Sequence, residues 1–437
     1  MNYYLVSLGC AKNLVDSERL VARLQAAGLV RVDKPEEAEV IIVNTCGFIA
    51  PAKEESIEMV LEMARYKSGG QCRRLVMAGC LVQRHRGELM DELDEVDGFF
   101  GVLDDQAIDN LLASLVETLP PRKPDDPDRI RLTLPHTGYL RIAEGCSNRC
   151  AYCSIPLIRG PLVSRPMDEL LAEARGMAAQ GVKELVVIAQ DITAWGTDLE
   201  GRPELADLLH ELDRIDGLPW IRLMYLHPAH IDDRLIDTIA GAERIVPYLD
   251  IPVQHASTRV LKHMGRKVTR TDLQELFGKL YKRIPGLVIR TTFLVGFPGE
   301  NKKDLIRLDK FIREFRPERF GVFTYSEEEG TPAASMHGKV DDTRAGKARD
   351  RLMKLQKRIV EERSEMLQDA VLPCIVDMAA PEGDPDATAV GRTYADAPDV
   401  DFHIYIDSRT VRPGDILDCR VVGHLGGDLF GQPVEKA

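Results

Sequence analysis

The chain opens with an apolar run, Tyr3–Leu8, and then a stretch from Asp16 to Ala27 whose apolar positions recur at helical spacing. Glu39–Asn44 reads EVIIVN, a buried-strand pattern, ahead of a helical stretch near Lys53–Lys67. Arg74–Ala78 predicts a third strand, Phe99–Val102 a fourth, and Ala107–Leu115 a helix. Alternation of this kind predicts a parallel sheet covered by helices over residues 1–118.

The alternation stops at Leu119–Arg129, LPPRKPDDPDR, which is rich in proline and charge and has no period. Residues 119–135 therefore read as a linker. A longer β/α series follows over 136–342. Its predicted strands are Tyr139–Ala143, Glu184–Ala189, Ile221–Tyr225, Tyr248–Pro252, Val288–Val295 and Phe320–Tyr325. Six β/α units predict a barrel or partial barrel, with its chemistry on loops after the C-terminal strand ends. Thr343–Asp369 reads as a charged connector helix. From 370 to 437 short β runs (CIVDM, FHIYID, ILDCRVVG) alternate with Gly and Pro turns, the pattern of a small antiparallel β-barrel of the OB kind.

A length of 437 residues suggests two or three domains, and 44% hydrophobic with 29% charged residues reads as soluble and globular. The net charge of −13 excludes bulk attraction to nucleic acid, though not a local basic patch. No apolar run is long enough to span a bilayer, and MNYYLVSLGC lacks the marks of a signal peptide, so a cytoplasmic protein without membrane contact is expected. In a reducing compartment, nine cysteines favour metal binding over disulfides.

The sharpest chemical signal is GCSNRCAYCSIPLIRG, with Cys146, Cys150 and Cys153 directly after the first strand of the long series. The bland alternative is half a zinc site, but structural zinc wants four ligands and no second pair lies nearby. Three thiolates on a cubane cluster leave one iron open for a ligand. A second set, Cys10 in SLGCAKN, Cys46 in NTCGFI and Cys80 in AGCLVQ, is dispersed in sequence. Each follows a predicted strand by one or two residues, and in a parallel sheet all such ends lie on one edge. Three unrelated core cysteines are the alternative. Cys72 sits in a polar stretch before the third predicted strand and is given no ligand role, and Cys374 and Cys419, in β runs of the tail, read as small core residues.

The Cys-x-x-x-Cys-x-x-Cys loop, with Tyr152 before its last cysteine, resembles the radical S-adenosylmethionine superfamily. Together with Cys10, Cys46, Cys80 and the β-rich tail, the whole chain resembles the methylthiotransferase family, and SLGCAKNLVDSE and NTCGFIAPAKEESIE resemble its RimO type. The resemblance implies a flavodoxin-like parallel α/β domain, a partial (β/α)6 TIM-like radical core and a C-terminal OB-like barrel of the TRAM kind. It implies two 4Fe–4S clusters as cofactors, held by Cys10, Cys46 and Cys80 and by Cys146, Cys150 and Cys153, with S-adenosylmethionine on the second. One S-adenosylmethionine would methylate a sulfur on the auxiliary cluster, and a second would be cleaved to a radical that removes hydrogen from the β-carbon of an aspartate. That aspartate would lie in small-subunit ribosomal protein S-twelve, free or assembled, and the electrons would come from a donor such as flavodoxin or ferredoxin.

By the same resemblance Gln190, Asp191, Gln254, Gly296 and Glu300 are cofactor-binding candidates alongside Tyr152, each after a predicted strand. A turn or cap role is the equal alternative for each. His255 and the YSEEEGTPA segment follow strands in the same way. Arg159 and Arg165 are placed to pair with a carboxylate of cofactor or substrate. His227 could reach the site or be structural, and Trp195 stands where the family usually has Tyr. From Leu367 onward there are thirteen acidic and five basic residues, a charge suited to a basic protein partner rather than to tRNA. Arg349, Arg351, Lys354, Lys357 and Arg358 on the connector could touch ribosomal RNA or merely be solvated. The alternatives are a tRNA methylthiotransferase, a non-catalytic iron–sulfur protein and a zinc-dependent nucleic-acid-binding protein.

Overall fold

The computed structural model describes residues 1–117, 127–381 and 387–434. The five strands β1 (Asn2–Ser7), β2 (Val30–Arg31), β3 (Val40–Thr45), β4 (Arg74–Gly79) and β5 (Gly98–Phe100) form one parallel sheet in the order β2-β1-β3-β4-β5. This is the flavodoxin-like order, in which loops after the strands meet on one edge. The EVIIVN run becomes β3, buried along its whole length. The first helix, Ala11–Ala26, begins directly after Cys10, ahead of the Asp16 start that the pattern predicts. Two elements carry little signal. β2 is an exposed two-residue edge strand, and the helix Cys80–Glu92 buries only four side chains and kinks at His85.

The linker's residues 119–126 lie outside the described residues. From 127 onward the segment is a packed strap. Ile130 and Leu132 rest on the N-terminal core, and Arg129 pairs with Glu18 and Glu173.

The second sheet contains β6 (Thr137–Arg141), with the short ribbon β7 (Ala143–Glu144) and β8 (Val163–Ser164) beside it. It continues with β9 (Glu184–Ile188), β10 (Trp220–Leu223), β11 (Ile245–Asp250), β12 (Val288–Val295) and β13 (Arg319–Thr324). The order β13-β12-β11-β10-β9-β6 is sequential and every neighbour pair is parallel, which is an open, partial (β/α)6 barrel. Side chains alternate as the pleat requires. Leu185 and Val187 of β9 face the outer helices, whereas Val186 and Ile188 face the concave side. That concave side is covered by Val15 of the first helix and by Ile375 and Ala397 of the C-terminal region. The stretch expected as a connector forms the helix Asp342–Met366, whose Leu352, Leu355 and Ile359 sit in the barrel's apolar core. It is thus a layer of the barrel, and Arg349, Arg351, Lys354, Lys357 and Arg358 stand on its exposed side. Among the described residues no helix is long and apolar enough to cross a membrane.

The tail closes into a barrel, β14 (Val371–Met378), β15 (Ala389–Thr393), β16 (Ile404–Ile406), β17 (Ile416–Leu425) and β18 (Asp428–Pro433), in the order β14-β15-β16-β18-β17. It is not wholly antiparallel, because β16 pairs with β18 in parallel. Five strands in a closed ring cannot alternate direction all the way round, so one parallel pair is required. Cys374 and Cys419 are fully buried in its core.

This barrel docks on the core through a buried ionic network. Glu184 is bound by Arg222 and Arg392, each at 2.7 Å, and Arg392 also holds Asp377 at 2.7 Å. His136 meets Asp377 at 2.9 Å. Burial pushes both carboxyls up, but Arg392 and Arg222 at Glu184, and His136 and Arg392 at Asp377, outweigh it and hold both below the ordinary range. An Arg392→Met variant should lose about 3–5 kcal/mol at neutral pH, because it strands buried carboxylates. Groups with lowered folded pKa values stabilise above their unfolded values and lose that contribution as the pH falls through the folded ones. The stability gap between wild type and variant should therefore shrink below about pH 4, which urea unfolding across pH would reveal.

Candidate active site

The ends of β1, β3 and β4 carry Cys10, Cys46 and Cys80 to one edge of the first sheet. The approach is close enough to demand glycine. Gly9 has φ +88°, and a Cβ there would come within 2.8 Å of Cys46 Cβ and 3.0 Å of its sulfur. A Cβ on Gly47 would lie 2.6 Å from Leu81 Cα. Burial pushes the Cys80 thiol up to about 12, against the pull of Arg159. Burial also opposes ionisation of Cys10, but there Lys12 and Arg159 win and hold the thiol below its usual value.

The second set lies in the loop closed by the β7–β8 ribbon. Cys146 N donates to Gly160 O at 3.1 Å, Ala151 N to Met264 O at 2.8 Å, and Cys153 N to Cys150 O at 3.1 Å. Burial pushes the Cys153 thiol up to about 12. Arg266 lies under the loop, with Nη1 3.9 Å from Cys150 Sγ and 3.3 Å from Tyr152 Oη, and Nη2 2.6 Å from Pro252 O. As free thiols, Cys80 and Cys153 would stay protonated and unreactive, whereas a metal centre would ionise them.

Arg159, at the end of the helix Ile155–Arg159 just beyond Cys153, reaches across to the first set. Its Nη2 donates to Cys80 Sγ at 3.4 Å, Asn13 Oδ1 at 3.1 Å and Asp16 Oδ2 at 2.8 Å, and its Nη1 donates to Glu144 Oε1 at 3.0 Å. Its side chain is 1% exposed. The interface is extended by Arg141, bound to Asp16 and Glu144, and by Glu328, which holds Lys53 and Arg84 of the first domain. Glu328 belongs to the YSEEEG segment after β13, so that segment docks domains together.

The strand-end candidates divide by what occupies their polar atoms. Gln190 Nε2 donates to Glu144 Oε1 at 2.9 Å, while its buried Oε1 has no hydrogen-bond partner among the described residues. Gln254 has φ +70° and bridges to Phe293. Gly296 has φ +79°, its N donates to Glu300 Oε1 at 3.2 Å, and Glu300 Oε2 lies 3.4 Å from His255 Nε2. The Asp191 carboxylate is filled from within the protein, by Asn148 Nδ2 at 2.6 Å, Thr193 N at 2.9 Å and His230 Nδ1 at 3.2 Å. It fastens the cysteine loop through Asn148. His227 stacks on His230, and burial with nearby Arg266 pushes its imidazole down to about 3. Arg165 is turned away and pairs with Glu173 at 2.6 Å. Trp195 is a core plug whose Nε1 donates to Arg165 O at 3.0 Å. Cys72 is buried, its thiol directed to Arg74 O.

Neither cysteine set is drawn together around a single ion. Among the described residues, the groups of three or more metal-ligating residues with ligand atoms mutually within 4.8 Å are Asp191–His227–His230 and Glu361–Glu365–His424, neither of which holds a cysteine. Sulfurs around one zinc, at about 2.3 Å from the metal, would fall inside that limit. Gln190 Oε1 and Arg266 Nε, both buried and unpartnered among the described residues beside the second set, are polar atoms that a bound ligand could satisfy.

Sequence reasoning missed Lys12, Arg266, Asn148 and Tyr225. Lys12 Nζ lies 3.3 Å from the Tyr225 ring centroid, and Tyr225 has φ +66°.

Residues 2–101 match the uncharacterized protein family UPF0004, residues 140–312 the radical SAM superfamily, and residues 370–434 the TRAM domain. The fold resembles the radical S-adenosylmethionine methyltransferase TsrM from Kitasatospora setae, with a TM-score of 0.56 and 15% identity over 76% of this chain and 73% of that one. Among sequence relatives, the protein named ribosomal protein uS12 methylthiotransferase RimO in Acetivibrio thermocellus is 41% identical over 99% of this chain and 98% of its own. The proteins of the same name in Anaeromyxobacter and Pelotomaculum thermopropionicum are each 44% identical, covering 99% and 98% of this chain and 93% and 98% of their own. With that identity along nearly its whole length, the chain belongs to the RimO family of radical SAM methylthiotransferase enzymes.

Proposed function

We propose that the chain inserts a methylthio group at the β-carbon of an aspartate in ribosomal protein uS12. Cys10, Cys46 and Cys80 would hold one 4Fe–4S cluster, and Cys146, Cys150 and Cys153 a second that binds S-adenosylmethionine. The observation that carries this reading is that Arg159, on the helix that follows Cys153, lies 3.4 Å from Cys80 Sγ, so the loop of the second set faces the domain of the first. Bound there, the cofactors supply one-electron chemistry at an unactivated carbon, beyond the reach of side-chain acid–base catalysis, together with the sulfur to be inserted.

The chain's own part is to hold, orient and exclude water. Asp191 fixes Asn148 of the cysteine loop, and Arg266 braces the same loop from below through Tyr152. Gln190 Oε1 is the free acceptor for an ammonium such as the methionyl amino group. Gln254, Gly296 and Glu300 shape the turns after β11 and β12, where backbone in the left-handed region brings main-chain groups close to a ligand. The first helix and the C-terminal barrel cover the concave face and keep bulk water from it.

The acidic tail supports a basic protein partner less than its raw count suggests. Asp377, Asp396 and Asp401 pair with Arg392, Arg319 and Arg290, and Asp399 accepts from Tyr139. Those charges serve docking to the core. An external electron donor of the flavodoxin or ferredoxin class would complete the reaction.

Anaerobically reconstituted protein given S-adenosylmethionine, reductant and sulfide should add one methylthio mass to the uS12 aspartate. A gain on unmodified tRNA alone would overturn the substrate, and deoxyadenosine formation with no product on either would overturn the insertion.

A further inference from the structure

We propose that the Lys12 ammonium receives the side-chain carboxylate of the substrate aspartate; this rests on the methylthiotransferase reading above. Lys12 is 7% exposed, and no carboxylate pairs with it among the described residues. Cations buried around the same interface are matched: Arg141 and Arg159 by Asp16 and Glu144, and Arg84 by Glu328. Lys12 and the Cys10 thiol favour each other's charged forms, and no carboxylate among the described residues adds to that pairing, so a substrate carboxylate can take the remaining side of the ammonium.

The Tyr225 ring holds the charge in place. Nζ lies 3.3 Å from its centroid, a cation–π contact that takes up one side of the ammonium. Tyr225 pays conformational strain for this pose, with φ +66° for a bulky aromatic residue. Its backbone is pinned on both sides: its N donates to Asp250 Oδ2 at 3.3 Å and its O accepts from Ile192 N at 3.1 Å.

Position selects which carboxylate. Lys12 stands two residues after Cys10, in the first turn of the helix Ala11–Ala26, whose N-terminus itself favours an anion. A carboxylate held there lies against the first cysteine set, the side from which sulfur would be delivered. The other carboxylate in the reaction, on the methionyl end of S-adenosylmethionine, belongs beside the Cys146–Cys153 loop, where Arg266 and Gln190 stand. A neutral nucleobase would gain less from a buried ammonium than a carboxylate does, so the same residue would favour the protein substrate.

The test uses holoenzyme carrying both clusters and two uS12 peptides, one with the target aspartate and one with asparagine in its place. Anaerobic anisotropy should show wild type preferring the aspartate peptide by about tenfold or more, as a charge-assisted contact implies. Lys12→Met should erase that preference, with affinity for the asparagine peptide, affinity for S-adenosylmethionine and iron content all unchanged. Lys12→Arg should restore part of it. A Lys12→Met enzyme that still prefers aspartate overturns the proposal. So does one that loses iron or S-adenosylmethionine affinity, since Lys12 would then serve a cofactor. Wild type that modifies neither peptide nor intact uS12 overturns the underlying function and this inference with it, whereas modification by both enzymes at the same KM overturns the inference alone.

Discussion

Cys150→Ala should abolish deoxyadenosine formation, while Cys46→Ala should retain part of it and make no methylthiolated product. Cys46 follows β3 of the first sheet and Cys150 lies in the loop closed by the β7–β8 ribbon, each beside its own apolar cluster, so each substitution should strike its own ligand set first. Cys46 is half-buried at the edge of the first sheet, its N held by Ser56 Oγ at 3.0 Å, and loss of its sulfur leaves β3 and β4 intact. Cys150 stands over Arg266, whose Nη1 is 3.9 Å from its sulfur, so truncation there exposes a buried guanidinium as well as removing a ligand. Each variant should carry roughly half the wild-type iron if each set holds one cubane cluster. Iron and sulfide analysis, with parallel assays of deoxyadenosine and product mass, separates the outcomes. Equal loss of both activities in a folded Cys46→Ala protein would contradict the division of labour between the two sets.

Those assignments were legible because they depend on local signals. A strand in a parallel sheet announces itself by its apolar run, and the residue just past its end is fixed by topology. Cys10, Cys46 and Cys80 could therefore be brought together without any contact being known. The first helix is the opposite case. Lys12, Asn13, Asp16, Ser17 and Glu18 form the kind of polar stripe that normally faces water, yet all five are buried: Asn13 and Ser17 bond to Thr45 and Asn44 of their own sheet, while Lys12, Asp16 and Glu18 meet Tyr225, Arg141 and Arg129 beyond it. Nothing within the helix encodes that docking. Arg266 was hidden for the same reason, since it follows a short helix in a loop and reaches the cysteines only through the barrel's closure. The tail misled in the other direction. Its acidity was read as a surface property, but Asp396 and Asp401 face Arg319 and Arg290 of the core, and Asp377 pairs with Arg392 inside the tail's own barrel.

Arg159→Met should cost about 3–5 kcal/mol, the penalty for removing one partner of a buried ionic group. Its guanidinium satisfies Asp16 and Glu144 together, and both carboxylates would remain in a region closed to water. Arg141 would still contact both, so the loss should fall short of that for two unpaired charges. Burial pushes the Glu144 carboxyl up, and Arg159 and Arg141 outweigh it to hold it low, so removal of Arg159 should move that carboxyl upward. A lowered carboxyl stabilises above its unfolded pKa and loses that contribution as the pH falls through the folded value. The variant should therefore differ most from wild type at neutral pH and least in acid. Thermal unfolding should fall at pH 7 by several degrees, consistent with about 2–4 °C per kcal/mol for domains of this size. Because Arg159 also donates to Cys80 Sγ, iron in the first set should be held less tightly, while the Cys146–Cys153 set keeps its own. Arg159→Lys should recover part of the stability but not the full pattern, since an ammonium cannot reach Asp16, Glu144, Asn13 and Cys80 with one planar fork. A Met variant with wild-type stability across pH and unchanged iron release to a chelator would show that the domains are held together by their apolar contacts alone.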